Sequence, residues 1–183
     1  NQQKIGELAY KAEVLEFTEP GGMMDQYSTA MGNLIYLQSE PYIAIETLNP
    51  NLGTFVLGDS CEPKDTLGIL NRCRDARLEI IVKLKVKNPN STIHTLNENA
   101  DISDLNTNEI ELYKGTLQNR DILKTALSEL NKSELNNENF GKLLTQHHAI
   151  LRDVLNVSTP KIDNMMDAAL SAGALGGKIN GSG

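Results

Sequence analysis

The densest run of residue types suited to chemistry is Glu19-Pro20-Gly21-Gly22-Met23-Met24-Asp25-Gln26. Two glycines let a backbone approach a ligand with no Cβ in the way. The helix start expected behind them offers unpaired amides and a positive dipole end, which favour an anion and keep a nearby carboxylate ionised. An ionised Asp25 could accept a proton from a substrate hydroxyl; the plainer alternative is an acidic residue that only stabilises a first helical turn. Asp59-Ser60, at the end of a candidate strand, could face a ligand or simply form a turn. Lys64 could hold an anionic or polyhydroxylated ligand, whereas Asp65 or Thr66 is equally readable as a helix cap. The third stretch is glycine-rich: Gly173, Gly176, Gly177, Gly181 and Gly183. Its Asn-Gly-Ser-Gly end could wrap phosphate oxygens with backbone amides or serve as a flexible linker.

Other residues offer less. His147 and His148 are adjacent on a helix and diverge by about 100°, so they cannot share one metal in the usual way. His148 and Arg152 stand four residues apart, which suits packing or hydrogen bonding. No Ser/His/Asp or Cys/His set assembles from spacing alone. Cys61 and Cys73 make no disulfide framework and suit a reducing cytoplasm. The net charge of −7 argues against nucleic acid or an anionic membrane as a general partner. No apolar run approaches the roughly 20 residues of a membrane span.

The elements that must position these residues follow from periodicity. Ile5, Leu8, Ala9, Ala12 and Leu15 share a helical face, and the pattern stops at Phe17-Thr18-Glu19-Pro20. A short helix follows from about Met23 to Met31. Three strands are expected at 34–38, 43–46 and 54–57, punctuated by Pro41 and by Asn49-Pro50-Asn51 with Gly53. A helix starts at about Thr66. Residues 88–108, rich in Asn, Asp, Ser and Thr, read as a loop or a mobile excursion. Helical patterning resumes from about Glu109 to Leu130. It returns with Phe140, Leu143, Leu144, His147, Leu151 and Leu155, and then again after Ser158-Thr159-Pro160, a cap followed by proline at a first helical position. Ile162, Met165, Met166, Ala169 and Leu170 form the expected buried stripe of that last helix, and 175–179 reads as a strand. With 183 residues, 39% hydrophobic, a real core is available. The order of elements predicts an α+β protein with antiparallel strands.

Glu19-Pro-Gly-Gly-Met-Met-Asp25-Gln-Tyr-Ser-Thr-Ala-Met-Gly32 resembles the second signature of galactokinases. Phe140-Gly-Lys-Leu-Leu, then His148-x-x-Leu151-Arg152-Asp153, then Asn156-Val157-Ser158-Thr-Pro-x-Ile-Asp163 resemble that family's helical segment, in order. Ala168-Ala-Leu and Gly176-Gly-Lys-Ile-Asn-Gly181-Ser-Gly183 are similar to the closing glycine motif of the wider GHMP kinase superfamily. The resemblance implies a two-domain GHMP fold, with residues 1–52 ending the N-terminal domain and 53–183 forming most of the C-terminal one. It implies a cytoplasmic sugar kinase that uses ATP and Mg2+ and acts most often on an anomeric hydroxyl. Asp25 inherits the role of catalytic base, and Gly22 would lie against the sugar; Asp59 and Ser60 are candidate sugar contacts from their place at a strand end, not from the resemblance. Gly181, Ser182 and Gly183 would shape the floor beneath the reacting phosphoryl group. The family's first signature and its Ser-rich phosphate loop are absent and are expected upstream of residue 1, as in an internal piece of a longer protein. Leu70 stands near the place of the family's sugar-contacting Tyr, and Asp59-Ser60 with Lys64-Asp65-Thr66 departs from the usual loop. A heptose, arabinose, fucose or uronic acid therefore stays open beside galactose. So do a catalytically silent sugar-sensing homologue and a helical interaction protein working through 109–172.

Overall fold

The computed structural model describes residues 1–63 and 65–181. Asn1 caps helix α1 (Gln2–Tyr10) by accepting the Gln3 N–H, and the helix runs on as a π-helical turn over Lys11–Leu15. Helix α2 (Met24–Met31) packs against α1, and the chain then forms an antiparallel hairpin. Strand β1 (Leu34–Gln38) pairs with β2 (Ala44–Leu48) in the register Leu34↔Leu48, Tyr36↔Glu46 and Gln38↔Ala44. Four helices follow: α3 (Thr66–Lys87), α4 (Thr107–Leu130), α5 (Asn137–Asp153) and α6 (Pro160–Ser171). The molecule is therefore α+β, with helices dominating a two-stranded sheet.

Several expected elements form where the periodicity puts them. Asp65 caps α3 through the Gly68 N–H at 3.0 Å. Thr159 caps α6 with Pro160 as its first helical residue. At the start of α4, Asn106 and Glu109 bond each other's backbone N–H in a reciprocal box, and the Glu109 carboxylate also binds Lys83 of α3 at 2.6 and 2.8 Å.

Other expectations are corrected. The stretch 54–57 is not a strand: Phe55, Val56 and Leu57 are largely exposed, and no described strand offers it a ladder. The apolar stripe expected to bury α1 lies on the surface, with Ile5, Leu8 and Leu15 each more than half exposed. The packed face carries Gly6, against which Tyr27 of α2 sits, and Val14 instead. A Cβ on Gly6 would stand 2.9 Å from the Tyr27 ring. On α6 the expected stripe is only half-buried, and Ala169 is exposed.

The Asn-rich excursion between α3 and α4 contains no helix or strand, yet it belongs to the core. Leu96 and Leu105 are buried with Ile80, Ile81, Leu84, Tyr113 and Leu117. Its backbone is fixed by side chains: the Tyr113 hydroxyl donates to the Asn97 carbonyl and Arg120 to that of Leu96. Lys87 bridges Asp101 and Asp104 at 3.0 and 2.9 Å. A second core, of Leu151, Leu155, Val157 and Ile179, joins the end of α5 to the glycine-rich tail.

Candidate active site

Asp25 stands in the first turn of α2. The residue preceding that helix, Met23, provides no side-chain cap. Among the described residues the N–H groups of Met24, Asp25 and Gln26 have no protein acceptor, so the helix start presents open amides beside an exposed carboxylate. The turn is aligned from α1. Gly21 rests on Val14, 3.8 Å from a Cβ placed on the glycine, and Gln26 donates to the Glu13 carboxylate at 2.8 Å. Gly22 is exposed, and a Cβ on it would meet nothing within 4 Å. The arrangement is a carboxylate on a fixed helix start, flanked by backbone that a small polar molecule can approach.

Asp59 and Ser60 sit on the segment leading to α3. Asp59 Oδ1 accepts the Cys61 N–H at 2.7 Å and Ser60 Oγ accepts the Glu62 N–H at 3.3 Å, so both side chains are engaged in a local turn. Glu62 in turn accepts from the Thr159 hydroxyl, tying this segment to the start of α6. Leu70 is half-buried in α3, and Arg72 beside it donates to the carbonyls of Leu155 and Asn156 at 3.1 and 3.0 Å. Among the described residues no hydrogen bond or ion pair joins Asp25 to Asp59, Ser60 or Gly181. Lys64, Ser182 and Gly183 lie outside the described residues.

The glycine-rich tail does not form the expected strand over 175–179; it lies against α5. Gly176 touches Gly141 so closely that a Cβ on Gly176 would fall 1.8 Å from the Gly141 carbonyl oxygen. The Gly177 N–H donates to Thr145 Oγ1 at 3.3 Å, and the buried Ile179 N–H donates to His148 Nδ1 at 3.2 Å. The ladder that a strand would supply is thus replaced by side chains of a helix. Lys178, between the two bonds, is half-buried and burial pushes its ammonium pKa down. At the far end Gly181 has φ +59, a left-handed conformation, with no described atom within 4 Å of a Cβ position.

His148 is the most enclosed polar group of this region, 4% exposed. Burial pushes its pKa down, against the upward pull of the Asp163 carboxylate, whose Oδ1 is 3.6 Å from Nε2 and also accepts from Ser158 Oγ at 2.6 Å. Since Nδ1 accepts from Ile179, the neutral ring carries its proton on Nε2. Spacing alone had suggested packing or hydrogen bonding for His148 and Arg152. Arg152 pairs with Asp153 at 2.7 Å, and His148 bonds the tail. The signal for this contact was Gly141, Thr145 and His148 at i, i+4 and i+7 on one helical face, readable only once the tail is known to cross it.

The free amides and open space at the tail's end fit an anion such as a nucleotide phosphate. Among the described residues, no three His, Cys, Asp or Glu side chains are grouped to hold a metal ion. Among the described residues, no helix is long and apolar enough to cross a membrane.

Residues 126–183 match the family model described as GHMP kinases C terminal. Over 181 residues, 99% of this chain, the sequence is 25% identical to a mevalonate kinase of Thermococcus gammatolerans, of which it covers 45%. It is 27% identical over its whole length to a galactokinase of Clostridium acetobutylicum, covering 49% of that protein. A shorter match, 44% identical over 43 residues, is to a galactokinase of Streptomyces coelicolor, 24% of this chain and 11% of that one. The chain thus spans about half the length of the first two relatives. The resemblance read from the motifs is thus borne out at the level of the GHMP kinases, with residues 126–183 similar to their C-terminal region.

Proposed function

We propose that the whole protein is an ATP-dependent kinase that phosphorylates a sugar hydroxyl, most often the anomeric one, with Asp25 as the base. The observation that carries this reading is the turn Gly21-Gly22 before α2. It sets an exposed carboxylate at a helix start with open amides, beside Gly22, whose Cβ position meets no described protein atom within 4 Å. Phosphoryl transfer depends mainly on positioning and charge stabilisation, so one held carboxylate with nearby amides supplies the acceptor side of such a reaction. Asp25 takes the proton of the attacking hydroxyl. Gly22 lies against the acceptor, with Asp59 and Ser60 as further contacts. Gly181, with Ser182 and Gly183, lies below the transferred group. MgATP supplies the phosphoryl group. Residues 1–52 close the N-terminal domain and 53–183 form most of the C-terminal one.

A second reading takes mevalonate as the acceptor, favoured by the 25% identity to a mevalonate kinase along nearly the whole chain. Both are tested by following ADP formation by the whole protein with MgATP and galactose, arabinose, fucose, mannose, a mannoheptose, glucuronate or mevalonate. Turnover with one acceptor is expected. It should fall by about 10²–10⁴ in Asp25→Asn, the usual worth of a general base, with the fold intact by circular dichroism. Near-normal turnover of that variant removes Asp25 from the mechanism. Sugar binding without turnover in the wild type converts the reading to a silent sugar-sensing module.

A further inference from the structure

Three contacts between α5 and the tail lie on one line. Gly141 meets Gly176, Thr145 accepts from Gly177, and His148 accepts from Ile179. From 141 to 148 a helix rises about 10 Å, at about 1.5 Å per residue. From 176 to 179 an extended chain advances about 10 Å, at about 3.3 Å per residue. The two rises agree, so the tail runs parallel to α5 as an extended segment whose partner is a row of helix side chains. Bonding through every second amide has a consequence. In extended backbone successive N–H groups point to opposite sides. Those of 177 and 179 face α5, so those of Lys178 and Asn180 face away from it. Among the described residues neither has a protein acceptor.

We propose that Thr145 and His148 are positioning residues for the segment 176–181, which hold the Gly177 and Ile179 amides so that the Lys178 and Asn180 amides are presented to the anionic phosphoryl group. This rests on the kinase reading. Neither side chain touches substrate; each acts through the backbone it holds. Thr145 does so while its own hydroxyl donates to the Gly141 carbonyl at 3.2 Å, beside the point where Gly176 crosses. His148 can accept only while Nδ1 is unprotonated, and its burial, with Asp163 on its other side, keeps the ring in one orientation.

The test compares His148→Leu, which removes the acceptor, with His148→Asn, whose amide oxygen lies near the place of Nδ1. Thr145→Val and Thr145→Ser form the matching pair. In the whole protein, His148→Leu and Thr145→Val should each lower kcat/KM for MgATP about 10- to 100-fold, the scale of a roughly 1 Å misplacement. KM for the acceptor should hold, and the Asn and Ser variants should recover most of the loss. Amide hydrogen exchange gives a readout independent of turnover: Ile179 should exchange faster in His148→Leu, Gly177 in Thr145→Val, and neither in the conservative variants. Unchanged exchange at Ile179 and Gly177 would overturn the clamp, as would equal kinetic losses in the conservative and the deleting variants. Absence of phosphoryl transfer in the wild type with every acceptor would instead overturn the kinase reading, leaving the exchange data to decide whether the clamp exists. If His148→Leu does not fold, the Thr145 pair and His148→Asn still decide.

Discussion

The two glycine-containing segments assigned to the site are held in opposite ways. At 176 the space a side chain would need is already filled by the carbonyl of Gly141; at 22 that space is empty. The tail is pinned along α5 at 176, 177 and 179, whereas the Gly21-Gly22 turn is steadied by one apolar contact to Val14 and a bond from Gln26 to Glu13. Packing requires a glycine at 176, whereas at 22 no described protein atom does. In the tail it lets protein pack on protein. In the turn it leaves backbone that no described side chain covers.

The sharpest way to break this comparison is to add one methyl group at each place. Gly176→Ala puts a Cβ 1.8 Å from a backbone oxygen, which no rotamer change relieves, so the tail must leave α5 or the helix must shift. The expected cost is about 2–4 kcal/mol, at the upper end of overpacking, read as a melting temperature lower by about 5–15 °C. A variant melting within about 1 °C of wild type would mean that the tail is not seated on α5 at all.

A smaller effect should follow from pH. Burial pushes the His147 pKa down to about 4 and lowers that of His148 too, while both imidazoles titrate near 6.5 in the unfolded chain. The unfolded state therefore binds protons first as pH falls. The stability that neutral imidazoles provide is complete above about 6.5 and is lost progressively down to the folded-state values. Between pH 7 and pH 5 the loss should be on the order of 1–2 kcal/mol, seen as a lower urea midpoint at pH 5. Replacing both histidines by Asn should flatten the profile. A wild-type midpoint that holds or rises at pH 5 contradicts the burial of this end of α5.

The sequence carried much of this because helix signals are local. The caps at Asp65 and Thr159, the proline at 160 and the hairpin strand 34–38 all depend on residues a few positions apart. What stayed hidden depends on partners far along the chain. The stripe of Ile5, Leu8 and Leu15 has helical period, yet period alone cannot tell which face Tyr27 will cover. Residues 175–179 have strand-like composition, but their backbone is satisfied by α5 side chains about 30 positions earlier. The 88–106 loop reads as polar because few of its residues are apolar, and of these Leu96 and Leu105, with Ala100 and Ile102 packed beside them, carry its burial. The place of Asp25 in a first helical turn was legible from the glycines before it. The contacts of Thr145 and His148 with the tail needed the crossing itself.

The smallest expected effect on stability is the most informative about function. Gly22 lies outside the left-handed region, and its Cβ position is open, so Gly22→Ala requires no strain and displaces no protein atom. Stability should change by no more than about 0.5 kcal/mol, with a slight gain allowed from the stiffer unfolded chain. If an acceptor lies against this backbone, the same methyl group occupies its place. KM for the acceptor should then rise about tenfold, while KM for MgATP stays at its wild-type value. A variant that is both stable and fully active would show that the open space at 22 is ordinary surface, and would leave Asp25 without the neighbour that marks it as facing a substrate. A variant destabilised as much as Gly176→Ala would erase the contrast altogether, since the turn would then be packed from a side where the structure places no protein atom.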